Sequence, residues 1–331
     1  MSFKNLIDDV SNTVDDVVNT NFEYYTTKAV PSSEDGDLTL ERGAAKKGKV
    51  LDTCVLFVDI RNSVALTTKH HRLTMAKIYT AFTKAMVKAA SAHGGFVRNV
   101  IGDRVMIVFP PKNCFENAMD CAISINHICD KVINPKFPTV DFKCGIGIDY
   151  GKIRVIKVGQ SKQGKERGEN KGLVWVGPVA NQASRLTDRA NKAEDKTTYE
   201  VNYFAWNPGS LFNYMTLPNI FGGLQPQSES KIPPHFSSSA TKKIMSPAEF
   251  SDSIGVNKDG TISISGGKYL SHQKKTRTIT YPPILMSEAV YKGFVKECPK
   301  RKHSLWKKQS HRIDDVNTDL YGGNIIWKNL L

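Results

Sequence analysis

The chain lacks any run near the ~20 consecutive apolar residues that a membrane helix needs. Residues 1–22 hold acids where a secretory leader would be apolar, so a cytoplasmic protein is expected. Its six cysteines, at 54, 114, 121, 129, 144 and 298, never stand as Cys-x-x-Cys, which argues against structural zinc. Four of them fall in apolar-periodic segments where a small buried thiol packs well, which argues against a disulfide framework. There is no internal repeat, and no low-complexity tract beyond serine-rich patches. Acid is comparatively scarce: 32 Asp and Glu against 46 Lys and Arg leave a formal charge of +14. Such a surplus attracts nucleic acid, an anionic membrane or a triphosphate, and charge alone does not choose among them. With 40% hydrophobic and 24% charged residues the composition excludes a wholly disordered chain. The 331 residues exceed the ~150 of one typical domain and point to one large embellished domain or two small ones.

Phe3, Leu6, Val10, Val14, Val17 and Val18 recur at helical spacing, which predicts an amphipathic helix serving packing or dimer contact. Residues 32–49 have the composition of a linker, so 1–49 reads as an N-terminal helix and linker. From Val50 to Ile60 a nearly unbroken apolar, β-branched run predicts a buried strand ending in Asp59. A helix is predicted over 75–92, closed by His93-Gly94-Gly95, and then a hairpin of strands 96–101 and 105–109 turning at Gly102-Asp103. A second helix over 115–132, a strand pair 140–149 and 152–158 turning near Tyr150-Gly151, and a polar loop over 159–172 follow. A strand then leads through Gly177-Pro178 into a helix carrying Asn181 and Arg185. Residues 191–282 are rich in Pro, Gly and Ser and read as an inserted, partly irregular segment. Strand 283–286, a helix capped by Ser287, a basic stretch and a strand-like pair around Tyr321-Gly322-Gly323 close the chain. Strands and helices mix without regular alternation, so the fold class is α+β.

Asp59 and Asp103 end two apolar strands flanking one helix, a placement that brings two carboxylates together. At about 4 Å such a pair does not stay doubly ionised without a cation. Two acids, a backbone carbonyl such as that of Ile60 and phosphate oxygens are the usual cradle of Mg²⁺ or Mn²⁺. Taken singly, either Asp reads more readily as a turn or cap residue; their conjunction is the signal. The small-residue turn Arg61, Asn62, Ser63 and Val64 opens a helix where backbone N–H groups hold anionic oxygens, although most such turns bind nothing. Asn181 and Arg185, four apart on one helix face, suit ribose and a phosphate gaining charge, or form a solvated surface pair.

The segments VLFVDIRNSVALT, GGFVRNVIGDRVMIVF, CGIGIDYGKI and VGPVANQASRLT stand in the order and spacing of the class III nucleotidyl cyclase catalytic domain. PPILMSEAVYKGF resembles its late strand and helix, so the likeness covers about residues 50–190 and 283–331, with 191–282 as a long late insertion. The resemblance implies a ferredoxin-like palm that closes a nucleoside triphosphate into a 3′,5′-cyclic monophosphate with release of pyrophosphate. It implies Asp59, Asp103 and the Ile60 carbonyl as holders of two Mn²⁺ or Mg²⁺ ions, and Arg61 to Val64 as the phosphate-binding turn. Asn181 and Arg185 match the pair that orients ribose and stabilises the transition state, supplied by the opposite subunit of a head-to-tail homodimer. The triphosphate-binding lysine of the family lies late, and Lys300, Arg301, Lys307, Lys308 and Arg312 are its candidates here.

The family's purine-reading pair is missing. Asn99 replaces the Lys or Glu of adenylate and guanylate cyclases, and Val174 beside Trp175 replaces the Asp of the former. An amide donates and accepts, so Asn99 suits a pyrimidine edge, with Arg98 the alternative under a one-residue slip. Val174 and Trp175 either shorten the pocket or are strand core. A cyclase without sensor modules or the purine pair resembles the pyrimidine cyclases of bacterial Pycsar anti-phage systems. That likeness implies CTP or UTP as substrate, and a separate effector that reads the cyclic nucleotide, with no membrane and no nucleic acid required. The Asn99 amide carbonyl, able to accept from the cytosine amino group, points to CTP, with UTP the alternative if the amide is turned over. A degenerate domain that binds nucleotide or nucleic acid without turnover, or a diguanylate-cyclase palm, is the competing reading.

Overall fold

The computed structural model describes residues 2–39, 45–162, 165–206, 236–237, 239–311, 313 and 316–328. The chain divides into two compact units, Met1–Lys192 with Thr280–Leu331, and Ala193–Ile279.

The first unit opens with helix α1, Phe3–Asn19, whose apolar stripe is present but not buried: Phe3, Leu6, Val10, Val14, Val17 and Val18 are all exposed. Strand β1, Phe22–Thr26, runs parallel to the start of β2, Lys46–Ile60. The expected linker is thus shorter than its composition suggests; Leu38 within it is buried, as is Val30 just before it. Asn62, left-handed at φ 55°, opens the short helix α2, Ser63–Lys69, and α3, Arg72–Ala92, follows. Gly94, at φ +65°, turns the chain out of α3, and the Gly95 N–H returns to the Ala90 carbonyl, as a glycine-terminated helix does. Strands β3, Phe96–Ile101, and β4, Arg104–Val108, form the expected hairpin, with Gly102 at φ +60° supplying the first turn residue. Helix α4, Cys114–His127, runs on as a π-turn over Ile128–Ile133.

Strand β5, Cys144–Lys162, replaces the expected pair. Tyr150 and Gly151 lie opposite Cys54 and Thr53 of β2, so the glycine extends the ladder where a turn was read. The polar loop read over 159–172 is likewise two strand ends: β6, Lys165–Val176, pairs back onto β5 through Lys157–Leu173 and Gly159–Lys171. Backbone pairing does not require apolar side chains, which is why a Gly-Lys composition concealed it. Helix α5, Pro178–Arg189, then lies along the sheet.

In the second unit, strands β7, Ala193–Ala205, β8, Thr241–Met245, β9, Ile254–Val256, β10, Ile262–Ile264, and β11, Gly267–Thr280, form a sheet of order β8-β7-β11-β10-β9. Helix α6, Pro247–Ser253, carries a Ser246/Glu249 capping box, and Tyr199 stacks on its Phe250 at 4.0 Å around Val201, Met245 and Ile264. The irregular insertion is therefore ordered over much of its described length, and residues 207–235 fall outside the described residues.

The first unit closes with β12, Ile284–Ser287, helix α7, Glu288–Glu297, capped by Ser287 as expected, β13, Lys307–Lys308, and β14, Leu320–Gly323. The terminal pair expected around Tyr321 is instead the single strand β14, seated between β12 and β13. The sheet order is β13-β14-β12-β5-β2-β4-β3. Helices α3, α4 and α7 bury Phe82, Met119, Ile125 and Phe294 against one face with Leu56, Val58 and Ile148; α5 covers the other, where Val179 and Ala183 meet Leu51, Val55 and Met106. The mixed α+β architecture expected from the sequence is the one observed. All six cysteines are buried thiols. Among the described residues no helix is long and apolar enough to cross a membrane.

Candidate active site

Strand alternation decides what reaches the site. Leu51, Val55 and Phe57 of β2 turn toward the α5 face, and Asp59 continues that parity to the tip of the strand. Val58 pairs with Val105, so the tip lies beside the β3–β4 turn that carries Asp103. The two acids expected to meet do meet. Burial, and then the negative charge of Asp59, raise the Asp103 carboxyl above its ordinary range, while the Ser63 hydroxyl and Asp103's own N–H pull it back. The Asp103 Oδ2 atom is buried and has no hydrogen-bond partner. A pair of acids with an orphaned carboxylate oxygen, beside the Ile60 backbone, fits a hard divalent cation such as Mg²⁺ or Mn²⁺, which takes oxygen ligands.

Sequence reasoning missed Arg104. The antiparallel register places it across from Asp59, and its Nη2 lies 2.9 Å from Asp59 Oδ2. The same guanidinium pairs with Asp188, and its Nη1 donates to Ser184 Oγ at 2.8 Å, so it joins the strand tip to α5. The signal was available in principle, because opposite charges at facing positions of adjacent strands attract.

Arg61 is engaged differently from the phosphate-binding part expected of it. Its guanidinium is buried and donates to the Thr187 carbonyl at 2.8 Å and the Asp188 carbonyl at 3.4 Å, holding the C-terminal end of α5. Its backbone N–H donates to the Lys143 carbonyl at 2.8 Å. Asn62 and Val64 are exposed, and the first helical bond of α2 runs from the Leu66 N–H to the Asn62 carbonyl, so the N–H groups of Ser63 and Val64 precede the ladder.

Asn181 and Arg185 are exposed on α5, while Ala183, Leu186 and Thr187 are buried beneath them. The α5 residues that meet the strand-tip cluster of the same chain are Ser184 and Asp188. Gly145 and Gly147 of β5 let the helix approach closely: a Cβ on Gly147 would collide with the Ala183 carbonyl and the Thr187 backbone.

A bulge in β3 falls at the two residues weighed for reading the base, Arg98 and Asn99. Val97 pairs with Ile107 and Asn99 with Met106, leaving Arg98 as the extra residue. Asn99 therefore lies opposite Met106, on the α5 face, and is exposed. Arg98 donates from Nη2 to the Val30 carbonyl at 3.1 Å and covers the Phe96 ring at 4.8 Å. On β6, Trp175 packs on the α5-side core, with its indole N–H buried and unpartnered, whereas Val174 is exposed on the alternate parity. Of the late basic residues, Arg301 is engaged by Asp120 and the Phe294 and Trp327 rings, and Lys308 by Asp319. Lys300 and Lys307 are exposed; Arg312 lies outside the described residues. Lys307 and Lys308 sit on the edge strand β13, with β14, β12 and β5 between them and β2.

The family model of the adenylate and guanylate cyclase catalytic domain matches residues 46–202, which includes every residue of this cluster. A protein of Burkholderia cepacia named uridylate cyclase is 31% identical over 220 residues, spanning 61% of this chain and 91% of the relative. One of the same name from Xanthomonas perforans is 34% identical over 188 residues, 55% of this chain and 76% of that protein. A third, from Gulbenkiania mobilis, is 28% identical over 192 residues, 54% of this chain and 69% of its own length. With the family's domain matched across the strand tips and α5, and relatives of this identity covered along most of their length, the chain belongs to the class III nucleotidyl cyclases.

Proposed function

We propose that the chain is a pyrimidine nucleotide cyclase that converts UTP to 3′,5′-cyclic UMP and pyrophosphate. The observation that carries this is the meeting of Asp59 and Asp103 with one carboxylate oxygen left unpartnered, in a chain whose relatives are named uridylate cyclase. The ribose 3′-oxygen forms a bond to the α-phosphorus, the bond from that phosphorus to the bridging oxygen breaks, the hydroxyl proton passes to solvent and pyrophosphate leaves. Divalent cations at this site supply neutralisation of the triphosphate and acidification of the 3′-hydroxyl. Asp59 and Asp103, with the Ile60 carbonyl, hold them. The N–H groups of Ser63 and Val64 face the phosphates, and Asn181 and Arg185 of a second copy orient ribose and meet the charge gained at phosphorus. Asn99, exposed on the site face of β3, reads the base. Its amide suits both uracil and, turned over, the cytosine amino group, which is what favours cyclic CMP as the second reading. The product is then read by a separate effector in anti-phage defence, a role supported by the resemblance to the Pycsar cyclases.

Incubation of the protein with ATP, GTP, CTP and UTP separately, each with Mn²⁺, tests this. Cyclic UMP is the expected main product, cyclic CMP would shift the reading to the second substrate, and cyclic AMP or GMP as the main product would overturn the pyrimidine assignment.

A further inference from the structure

Asp59 has a resident positive partner. Arg104 Nη2 lies 2.9 Å from Asp59 Oδ2, and Arg61 Nη2 is 3.7 Å from the same oxygen. Asp103, by contrast, keeps a buried carboxylate oxygen without a partner. The two acids of one cation site are thus unequal: one is neutralised by a guanidinium, the other waits. Arg61 is fixed by two carbonyls of α5 and cannot leave without releasing the helix. Arg104 is less constrained. Its side chain is 28% exposed, and two of its three partners, Ser184 and Asp188, are supplied by α5 and not by the strand tip. It can give up Asp59 and remain held by the other two.

On the reading of Asp59 and Asp103 as the cation site, we propose that Arg104 is a built-in counter-cation, which occupies Asp59 when no divalent ion is bound and competes with that ion for the carboxylate. A guanidinium and a divalent cation on one carboxylate repel each other, so loading requires Arg104 to withdraw toward Ser184 and Asp188. An incoming triphosphate offers anionic oxygens to both positive groups at once. The nucleotide-free chain therefore binds divalent cation weakly, and loading is linked to arrival of substrate. Arg104 is on this account a positioning residue of the cation site.

Mn²⁺ titration of the nucleotide-free full-length protein, with free ion followed by electron paramagnetic resonance, tests this without reference to turnover. Arg104→Gln is expected to bind Mn²⁺ about tenfold more tightly than the wild type, the scale of one charge-assisted contact. Arg104→Lys, which keeps the charge but not the three-way reach, is expected to tighten it less. Should Arg104→Gln fail to fold by circular dichroism, Arg104→Lys carries the comparison with the same sign. Unchanged or weaker binding in the folded Arg104 variant, while Asp103→Asn still weakens binding, would overturn the competition and leave the cation site standing. If Asp103→Asn leaves Mn²⁺ affinity unaltered, the cation-site reading fails and the competition fails with it.

Discussion

Asp149 is a buried carboxyl in the middle of a sheet, 5% exposed and on the same face of β5 as Gly145 and Gly147. Burial pushes it up to about 6, against hydrogen bonds from the Ser287 hydroxyl, the Tyr150 N–H and Gln182 of α5. In the unfolded chain an Asp titrates near ~3.9, so the folded state holds this proton more tightly. The stability it contributes is fully present below about pH 4 and is lost as pH rises through about 6. The shift corresponds to roughly 3 kcal/mol across that window. Asp149→Asn, which cannot ionise, is expected to match the wild type near pH 4 and to exceed its stability at pH 8. Urea denaturation of both proteins across that range measures the difference directly, and a difference independent of pH would refute burial as the cause. Nothing in the sequence singled out this residue, because an acid inside GIGIDYG looks like a strand-end Asp until β5 is seen to continue past it. The α5 contacts of Arg61 and Arg104 were opaque for a related reason: Thr187, Ser184 and Asp188 lie far along the chain, and only the assembled sheet brings them close.

At the scale of elements, α5 rests on glycines. The helix carries Asn181 and Arg185 outward only while Ala183 and Thr187 sit directly on Gly147, with the Thr187 hydroxyl donating to the Phe57 carbonyl at 3.1 Å. Gly147→Ala puts a methyl group into the helix backbone, an overpacking that typically costs about 1–3 kcal/mol. Gly172→Ala on β6, with no atom within 4 Å of its new methyl, is the matched control. Urea midpoints should fall for the first and stay near wild type for the second; equal shifts would mean that close helix seating is not what Gly147 provides. The elements most legible in the sequence were those whose periodicity reports burial: β2, α3, α4 and the β3–β4 hairpin, and with them the meeting of Asp59 and Asp103. Less legible were strands that bury little. β11 is exposed along nearly all its length, so its Lys, Ser and Thr residues carried no alternation to read. The bulge at Arg98 also lay beyond sequence reasoning, since it exists only as a mismatch between two paired strands.

The whole molecule raises the question of how an α5 whose inner flank serves its own strand tips also uses its outer face. Ser184 and Asp188 reach Arg104 of the same chain, whereas Asn181 and Arg185 are exposed. Under the head-to-tail arrangement proposed above, two-fold symmetry makes the exchange reciprocal, each copy lending its outer pair to the other's acids. This has a consequence that a self-contained site lacks. Asp59→Ala removes a cation ligand and Arg185→Ala removes the guanidinium, so each variant alone is expected to be inactive with its fold retained. Mixed in equal amounts and allowed to exchange, half of the dimers are heterodimers with one site of two intact, so activity should return to about a quarter of wild type. Sites complete within one chain cannot be repaired by mixing, because every chain then carries its own lesion. Pyrophosphate release measured on the mixture against each variant alone distinguishes the two, and a mixture no more active than its components would rule out the shared site.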